Sequence, residues 1–223
     1  NVEGYYKNFS QLTNLNRNKI FDESKAPQEP DLLTKDFIIE KGDAEGIDLT
    51  FKFDNNHFYF WAVYSLAWVN RYYEDIEGSL EQYYPHFDRR HNVNLLAVYR
   101  FGGKRDWEVS ARWNFGSGFP FTQTQGYYEL INFDDGVYSD YTTANGELGV
   151  LYADLNAGRL PTYHRLDFNI KKTFFISENS NFVVDASVVN VYNRENIFYV
   201  DRITNEIVYQ LPIMPSLGIS LSF

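Results

Sequence analysis

Between Arg105 and Gly116 the chain alternates without a break. Trp107, Val109, Ala111, Trp113 and Phe115 hold one parity, and Glu108, Ser110, Arg112 and Asn114 hold the other. A period of two sends successive side chains to opposite faces of an extended strand, so this segment has one oily and one charged face. The split recurs at Ile47, Leu49, Phe51 and Phe53 against Asp48, Thr50 and Lys52. It recurs again at Leu166, Phe168 and Ile170 against Arg165, Asp167, Asn169 and Lys171. From Met214 to the end, Leu217, Ile219, Leu221 and Phe223 oppose Ser216, Gly218, Ser220 and Ser222. There is little sign of a 3.6-residue repeat, and the fold class expected is all-β, over 1–223 as a single region.

The apolar members of these runs are unusually aromatic. The 223 residues hold 18 Tyr, 19 Phe and 4 Trp but no Cys, which excludes a disulfide scaffold. The formal net charge is −10, with no basic segment to offset it, so a nucleic-acid partner is not expected. No run of about eighteen apolar residues is present, which excludes a spanning helix. Asn1-Val2-Glu3-Gly4 has neither an initiator Met nor a signal sequence, and a mature, trimmed or partial product is expected.

Phe58 to Val69 is apolar at every position except Ser65. Twelve extended residues, at about 3.3 Å each and tilted by about 45°, reach roughly the thickness of a bilayer core. Short connections with tight-turn chemistry fall at Asp54-Asn55-Asn56, Gly102-Gly103-Lys104 and Ser177-Glu178-Asn179. Long connections fall near 14–33, 74–87, 117–161 and 193–205, alternating with the short ones. About eight strands follow: Gly4–Gln11, Phe37–Phe53, His57–Tyr73, Arg89–Phe101, Arg105–Gly116, Thr162–Phe175, Asn181–Tyr192 and Glu206–Phe223. Strands with an apolar outer face, short turns at one end and long loops at the other are the plan of a transmembrane antiparallel β-barrel. Hydrocarbon offers no partner to a free N–H or C=O, so a spanning sheet must be closed.

Several segments, taken in order, resemble the C-terminal part of the barrel of TonB-dependent outer-membrane receptors of the Bacteroidota type. They are Phe87-Asp88-Arg89-Arg90-His91-Asn92-Val93-Asn94-Leu95, Gly116-Ser117-Gly118-Phe119-Pro120-Phe121-Thr122 and Leu160-Pro161-Thr162-Tyr163-His164-Arg165-Leu166-Asp167. Val189-Asn190-Val191-Tyr192-Asn193-Arg194-Glu195-Asn196 and Pro212-Ile213-Met214-Pro215-Ser216-Leu217-Gly218 follow, with the terminal Phe223. The resemblance implies a 22-stranded barrel closed by a plug domain, located in the bacterial cell outer membrane. On that reading this chain supplies about eight C-terminal strands and no plug, and the rest of the barrel comes from other chain. An even strand number puts both ends on the periplasmic side.

The function so implied is binding of a nutrient ligand by the extracellular loops and its import to the periplasm, with no enzymatic role and no cofactor. The implied partners are outer-membrane lipid and lipopolysaccharide, the remaining strands and plug, the TonB complex through that plug, the barrel-assembly machinery and a surface lipoprotein. Leu217, Ile219, Leu221 and Phe223 resemble the assembly signal, a strand read by β-augmentation.

The loop 117–161 is the foremost candidate for ligand binding. It carries Glu129, Asp134, Asp135, Asp140, Glu147 and Asp154 against the single Arg159, interleaved with aromatics. Tyr127, Tyr128, Asp134, Asp135, Tyr138, Asp140 and Tyr141 are its candidate ligand residues, a composition that suits sugars, cationic groups or a chelate. Tyr59, Trp61, Tyr64, Trp68, Tyr72, Tyr73, Tyr99, Trp107 and Trp113 are expected in interfacial girdles. Asp48, Lys52, Glu108, Arg112, Arg165, Asp167, Lys171 and Asp185 are expected to line the lumen as charge ladders.

Asp134 to Asp140 does not have the spacing of an EF-hand loop. His57, His86, His91 and His164 lack zinc spacing, so no metal site is expected. Gly116-Ser117-Gly118 lacks the spacing of a nucleophile elbow. Two rival readings use the same alternation. One is a complete eight-stranded barrel serving as anchor or adhesin, its lumen filled by side chains. The other is a small barrel with lipid hydrolase or acyltransferase activity, using His91 or His164.

Overall fold

The computed structural model describes residues 1–15, 35–74, 77–130, 147–177, 180–201 and 203–223. Among them there is no helix. Fifteen strands run in chain order: β1 Val2–Leu15, β2 Phe37–Asp54, β3 Phe58–Glu74, β4 Leu80–Tyr83, β5 His91–Phe101, β6 Trp107–Gly116, β7 Pro120–Phe121, β8 Thr124–Leu130, β9 Glu147–Tyr152, β10 Gly158–Arg159, β11 Tyr163–Phe175, β12 Asn181–Val189, β13 Ile197–Val200, β14 Ile207–Tyr209 and β15 Met214–Ser222. Eight long strands form one antiparallel sheet in the order β1-β2-β3-β5-β6-β11-β12-β15, with β4 added to the far end of β3. Each neighbour in the sheet is also the neighbour in sequence once the loop strands are set aside, so the sheet is an up-and-down meander. The sheet is open: among the described residues β1 pairs only β2, and β15 pairs only β12.

The register carries the alternation from β2 to β15. Phe51, Ala62, Leu95, Trp113 and Leu166 are successive partners on five strands. Ile170, Ala186 and Leu217 continue the same face to the β15 edge. The opposite face carries the charged residues, with apolar members on β3 and β5: Lys52, Trp61, Leu96, Arg112 and Asp167 form one row of it, and Thr50, Val63, Asn94, Asn114 and Arg165 the next. All eight residues expected to line a lumen lie on this polar face. Glu108 accepts from Arg100 at 2.9 Å and pairs with Lys171 at 2.8 Å, a three-strand ladder that resists slippage of β5, β6 and β11.

Among the described residues no second layer covers the apolar face. Leu217 and Ile219 are 71% and 67% exposed, and Phe51, Phe53, Tyr99 and Phe174 are exposed as well. The hydrophobic core of the described residues is correspondingly small, with Tyr83 its one fully buried apolar member.

Six of the nine expected girdle residues, Tyr64, Trp68, Tyr72, Tyr99, Trp107 and Trp113, share the apolar parity. Tyr59, Trp61 and Tyr73 do not. Their partners are Asp54, Lys52 and Glu81, and the Lys52 ammonium lies 5.4 Å from the Tyr59 ring. β3 is apolar at both parities, so its alternation cannot assign a face; pairing with the clearly alternating β2 does.

Every short connection lies at one end of the sheet and every long one at the other. At the turn end Asn55 Oδ1 accepts the N–H groups of His57 and Phe58 at 2.9 and 2.7 Å. Both chain ends are also at the turn end, since Val2 pairs with Leu49 and Ser222 with Asn181.

Most expected boundaries shift by a few residues, and three expected elements change in kind. Glu206–Phe223 is not one strand: Ile207–Tyr209 turns back on β13, and the sheet strand starts at Met214. Pro212 explains the break, because it has no N–H to give a ladder and restricts the residue before it. The connection near 74–87 contains β4. The connection 117–161 is not structureless, for β7 pairs with β10 and β8 with β9 to extend the β6–β11 pair as a ribbon.

Candidate ligand-binding site

The long-loop end is built on three polar knots, each tying a connection to the sheet. In the first, Glu40 is 1% exposed, and its carboxylate accepts from Tyr83 at 2.8 Å, Asn14 at 2.9 Å and Arg71 at 3.4 Å. A buried carboxylate requires such partners, and these three fix β4 and the end of β1 against β2 and β3.

The second knot centres on Asp88, which is wholly buried. β5 stops pairing with β3 at Leu66, and β4 starts at Arg71, which leaves a gap in the ladder. Asp88 Oδ1 fills it by accepting the Val69 N–H at 3.0 Å. Its Oδ2 takes Arg159 at 2.5 Å and lies 3.5 Å from Arg90. Arg159 also donates to the carbonyls of Asp88 and Gly118, at 3.3 and 3.2 Å. The Arg90 and Arg159 guanidinium groups lie 4.6 and 5.4 Å from the Tyr84 ring. One carboxylate thus joins β3, the connection before β5 and the base of the ribbon.

The third knot is the segment Val189 to Asn196. Asn190, fully buried, adopts a left-handed conformation (φ 55°). Its amide donates to the Arg194 and Leu211 carbonyls at 2.9 and 3.1 Å, and its side-chain oxygen accepts the Arg194 N–H at 3.0 Å. The Asn190 N–H goes to Asp167 at 3.0 Å. Asn196 exchanges two hydrogen bonds with the backbone of His164, at 3.1 and 3.0 Å. Asn tolerates the left-handed region and can bond its own turn, and this motif uses both properties.

Above the knots, three connections converge on a cleft of about 510 Å³. His86 and Phe87 come from the connection before β5. Phe119, Phe121, Thr122, Leu155, Asn156 and Leu160 come from the ribbon base, and Phe198, Tyr199 and Val200 from β13. The walls are mostly aromatic and aliphatic, and the two ribbon polar groups are engaged, with Asn156 N–H donating to Thr122 Oγ1 at 2.9 Å and Asn156 Nδ2 to the Tyr84 carbonyl at 2.8 Å. A largely apolar cleft with a few fixed polar groups at its rim is suited to a ring-bearing or otherwise partly apolar ligand.

Of the residues expected to bind ligand, Tyr127 and Tyr128 lie on β8 and are exposed, outside the cleft lining. Tyr127 latches the ribbon to the β13–β14 hairpin. Its hydroxyl donates to the Ile203 carbonyl at 2.6 Å and accepts from Asn205 Nδ2 at 2.8 Å. Asp134, Asp135, Tyr138, Asp140 and Tyr141 lie outside the described residues. The cleft residues on the connection before β5 and on β13 were not singled out by sequence, because nothing in their local pattern distinguishes them from other loop aromatics.

His91 and His164 pair with tyrosines on the apolar parity, Nδ1 to Tyr64 hydroxyl at 2.9 Å and Nδ1 to Tyr192 hydroxyl at 2.7 Å. His86 lies edge-on to Phe87, and the His57 N–H caps the first turn. No protein-family model matches the chain, and no curated protein does.

Proposed function

We propose that this chain forms part of the wall of an outer-membrane β-barrel, and that the barrel is a TonB-dependent receptor that holds a nutrient ligand with its long loops and passes it to the periplasm. The observation that carries the reading is the apolar face. It runs from β2 to β15, seven strands, with many of its side chains exposed, is broken by charge only toward its ends at Glu45 and Lys172, and is backed by the face that carries the charge ladders. Along β3 it extends from Phe58 to Trp68, about 33 Å of strand, which a tilt of about 45° reduces to roughly the height of a bilayer's apolar band. An exposed apolar face of this extent has no stable place in water.

The two open edges favour a slice of a larger barrel over a complete eight-stranded one. Among the described residues neither β1 nor β15 has a second neighbour, and a sheet in hydrocarbon cannot leave either ladder free. Further strands and a plug domain would complete the wall and fill the space beside the polar face. Leu217, Ile219, Leu221 and Phe223 lie exposed on and just beyond β15, as a strand offered to the barrel-assembly machinery would. The aromatic cleft and the latched ribbon form the ligand-binding rim, while the energy for import comes, as in the family, from the TonB complex.

The test is the intact mass of the protein purified from outer membranes, with sequencing of any companion chain. A mass several-fold above 26.2 kDa, or a plug-bearing companion, is the expected result. A lone 26.2 kDa species with heat-modifiable migration would instead make it a self-contained barrel and remove the transport reading.

A further inference from the structure

Arg89 is a half-buried cation with no counter-ion among the described residues. Among the described residues no carboxylate lies within ion-pair distance of it, and its Nε is buried with no acceptor. Its neighbours Arg90 and Arg159 both engage Asp88. In a chain of net charge −10, an arginine with no ion pair among the described residues calls for a reason.

The guanidinium is nonetheless held in place. It stacks on the Phe119 ring at 4.0 Å, with the Tyr163 ring at 5.7 Å. Below it is Gly116, where an added Cβ would lie 2.5 Å from the guanidinium carbon and would push the guanidinium from its present seat. Stacking occupies the faces of the guanidinium plane and leaves its N–H edges as donors, the geometry that takes a carboxylate or phosphate through two parallel hydrogen bonds.

The sheet next to it continues the pattern. Gly116 sits on the polar face between Asn92 and Tyr163, and the next row holds Asn94, Asn114 and Arg165. One row further, Arg112 is exposed and likewise has no ion-pair partner among the described residues, because the adjacent Asp167 is taken by Arg165 at 2.9 Å and by the Asn190 N–H at 3.0 Å. Two free guanidinium groups therefore flank a strip of asparagine amides.

We propose that this strip, anchored on Arg89, is a binding site for a small carboxylate- or phosphate-bearing solute. The inference rests on register and packing alone and stands apart from the membrane reading. An acidic segment of polypeptide could offer the same carboxylate chemistry, and the test separates the two sources.

Inorganic phosphate and succinate are titrated by calorimetry, at low ionic strength, into the purified full chain and its variants. Saturable binding of at least one probe is expected, weakened about tenfold or more by Arg89→Gln, several-fold by Arg112→Gln, and not by Lys104→Gln at the turn end. Arg89→Lys restores only part of the affinity if the contact is a two-pronged one. Arg112 is exposed and its variant is not expected to disturb folding, so it reads the site independently of any structural role of Arg89. Absence of saturable binding by both probes, unchanged affinity in both arginine variants, or equal weakening by Lys104→Gln would overturn the proposal. An Asp/Glu-rich peptide is titrated in parallel, and saturable binding of that peptide with neither small probe binding would also overturn the proposal and assign the site to polypeptide.

Discussion

Asp88 and Arg159, 71 residues apart in the chain, meet at 2.5 Å with the carboxylate wholly buried and the guanidinium about a third exposed. This pair ties the ribbon that carries the longest loop to the edge of β3. Asp88→Asn keeps an oxygen for the Val69 N–H but removes the charge that Arg159 and Arg90 share. Breaking a buried pair costs about 3–5 kcal/mol, and the partial exposure of both arginines places the effect near the lower end. The expected outcome is a lower denaturant midpoint and faster protease cleavage within 117–161, with β1 and β2 unaffected. Equal cleavage rates in variant and parent would mean the knot does not hold the ribbon.

Gly118 sets the spacing at the base of the same ribbon. A Cβ there would overlap the Leu160 carbonyl, backbone against backbone, with no flexible group to yield. Gly118→Ala should cost about 1–3 kcal/mol through forced displacement. It should also raise amide exchange at Leu160, whose N–H donates to the Phe119 carbonyl at 2.9 Å. Unchanged protection of that amide would show that the strands separate without penalty.

The hairpin that closes the cleft has an acid-sensitive turn. Asp201 Oδ1 accepts the N–H groups of Ile203 and Thr204 at 2.8 and 3.0 Å, and these bonds hold its carboxyl below the usual carboxylate range. A depressed folded pKa means the turn's contribution is present above the unfolded value, about 3.9, and fades as pH falls through the lower folded value. Since Tyr127 bonds the Ile203 carbonyl, acidification in that window should release the latch as well. Amide shifts of Ile203 and Thr204 titrating together with loss of the Tyr127 contact is the expected observation. Asp201→Asn should be insensitive to pH there.

Facing decides whether a lysine is tolerated on β15. Ile219 belongs to the apolar face and Ser220 to the polar face, one residue apart. In a bilayer, Ile219→Lys should cost about 2–4 kcal/mol if the site is near the midplane, and Ser220→Lys far less. Folding into lipid vesicles followed by denaturant titration measures both. Similar costs for the two variants would count against a lipid-facing surface.

Most of the sheet strands were legible because alternation, or for β3 a nearly unbroken apolar run, lies within the strand itself. Arg105–Gly116 contracts by two residues to Trp107–Gly116, and Phe37–Phe53 lengthens by one. The short turns were legible for the same reason, since Asn55 caps residues beside it. Reading failed where the pattern is silent. The uniformly apolar β3 gave no face to Tyr59, Trp61 and Tyr73, and the run past Glu206 hid the break at Pro212. The cleft was beyond reach because it takes side chains from His86, Phe121 and Phe198, on three connections separated by tens of residues.

Sequence by itself determined that the chain makes extended strands with one apolar and one charged face, and that short and long connections alternate, because parity and turn chemistry act between residues a few positions apart. The tertiary structure decided which faces join into one surface, that Asp88 meets Arg159, and that among the described residues the sheet has two open edges and Arg89 meets no acid. Those outcomes depend on strand register and on contacts between residues far apart in the chain, where a shift of one residue would turn every side chain to the other face.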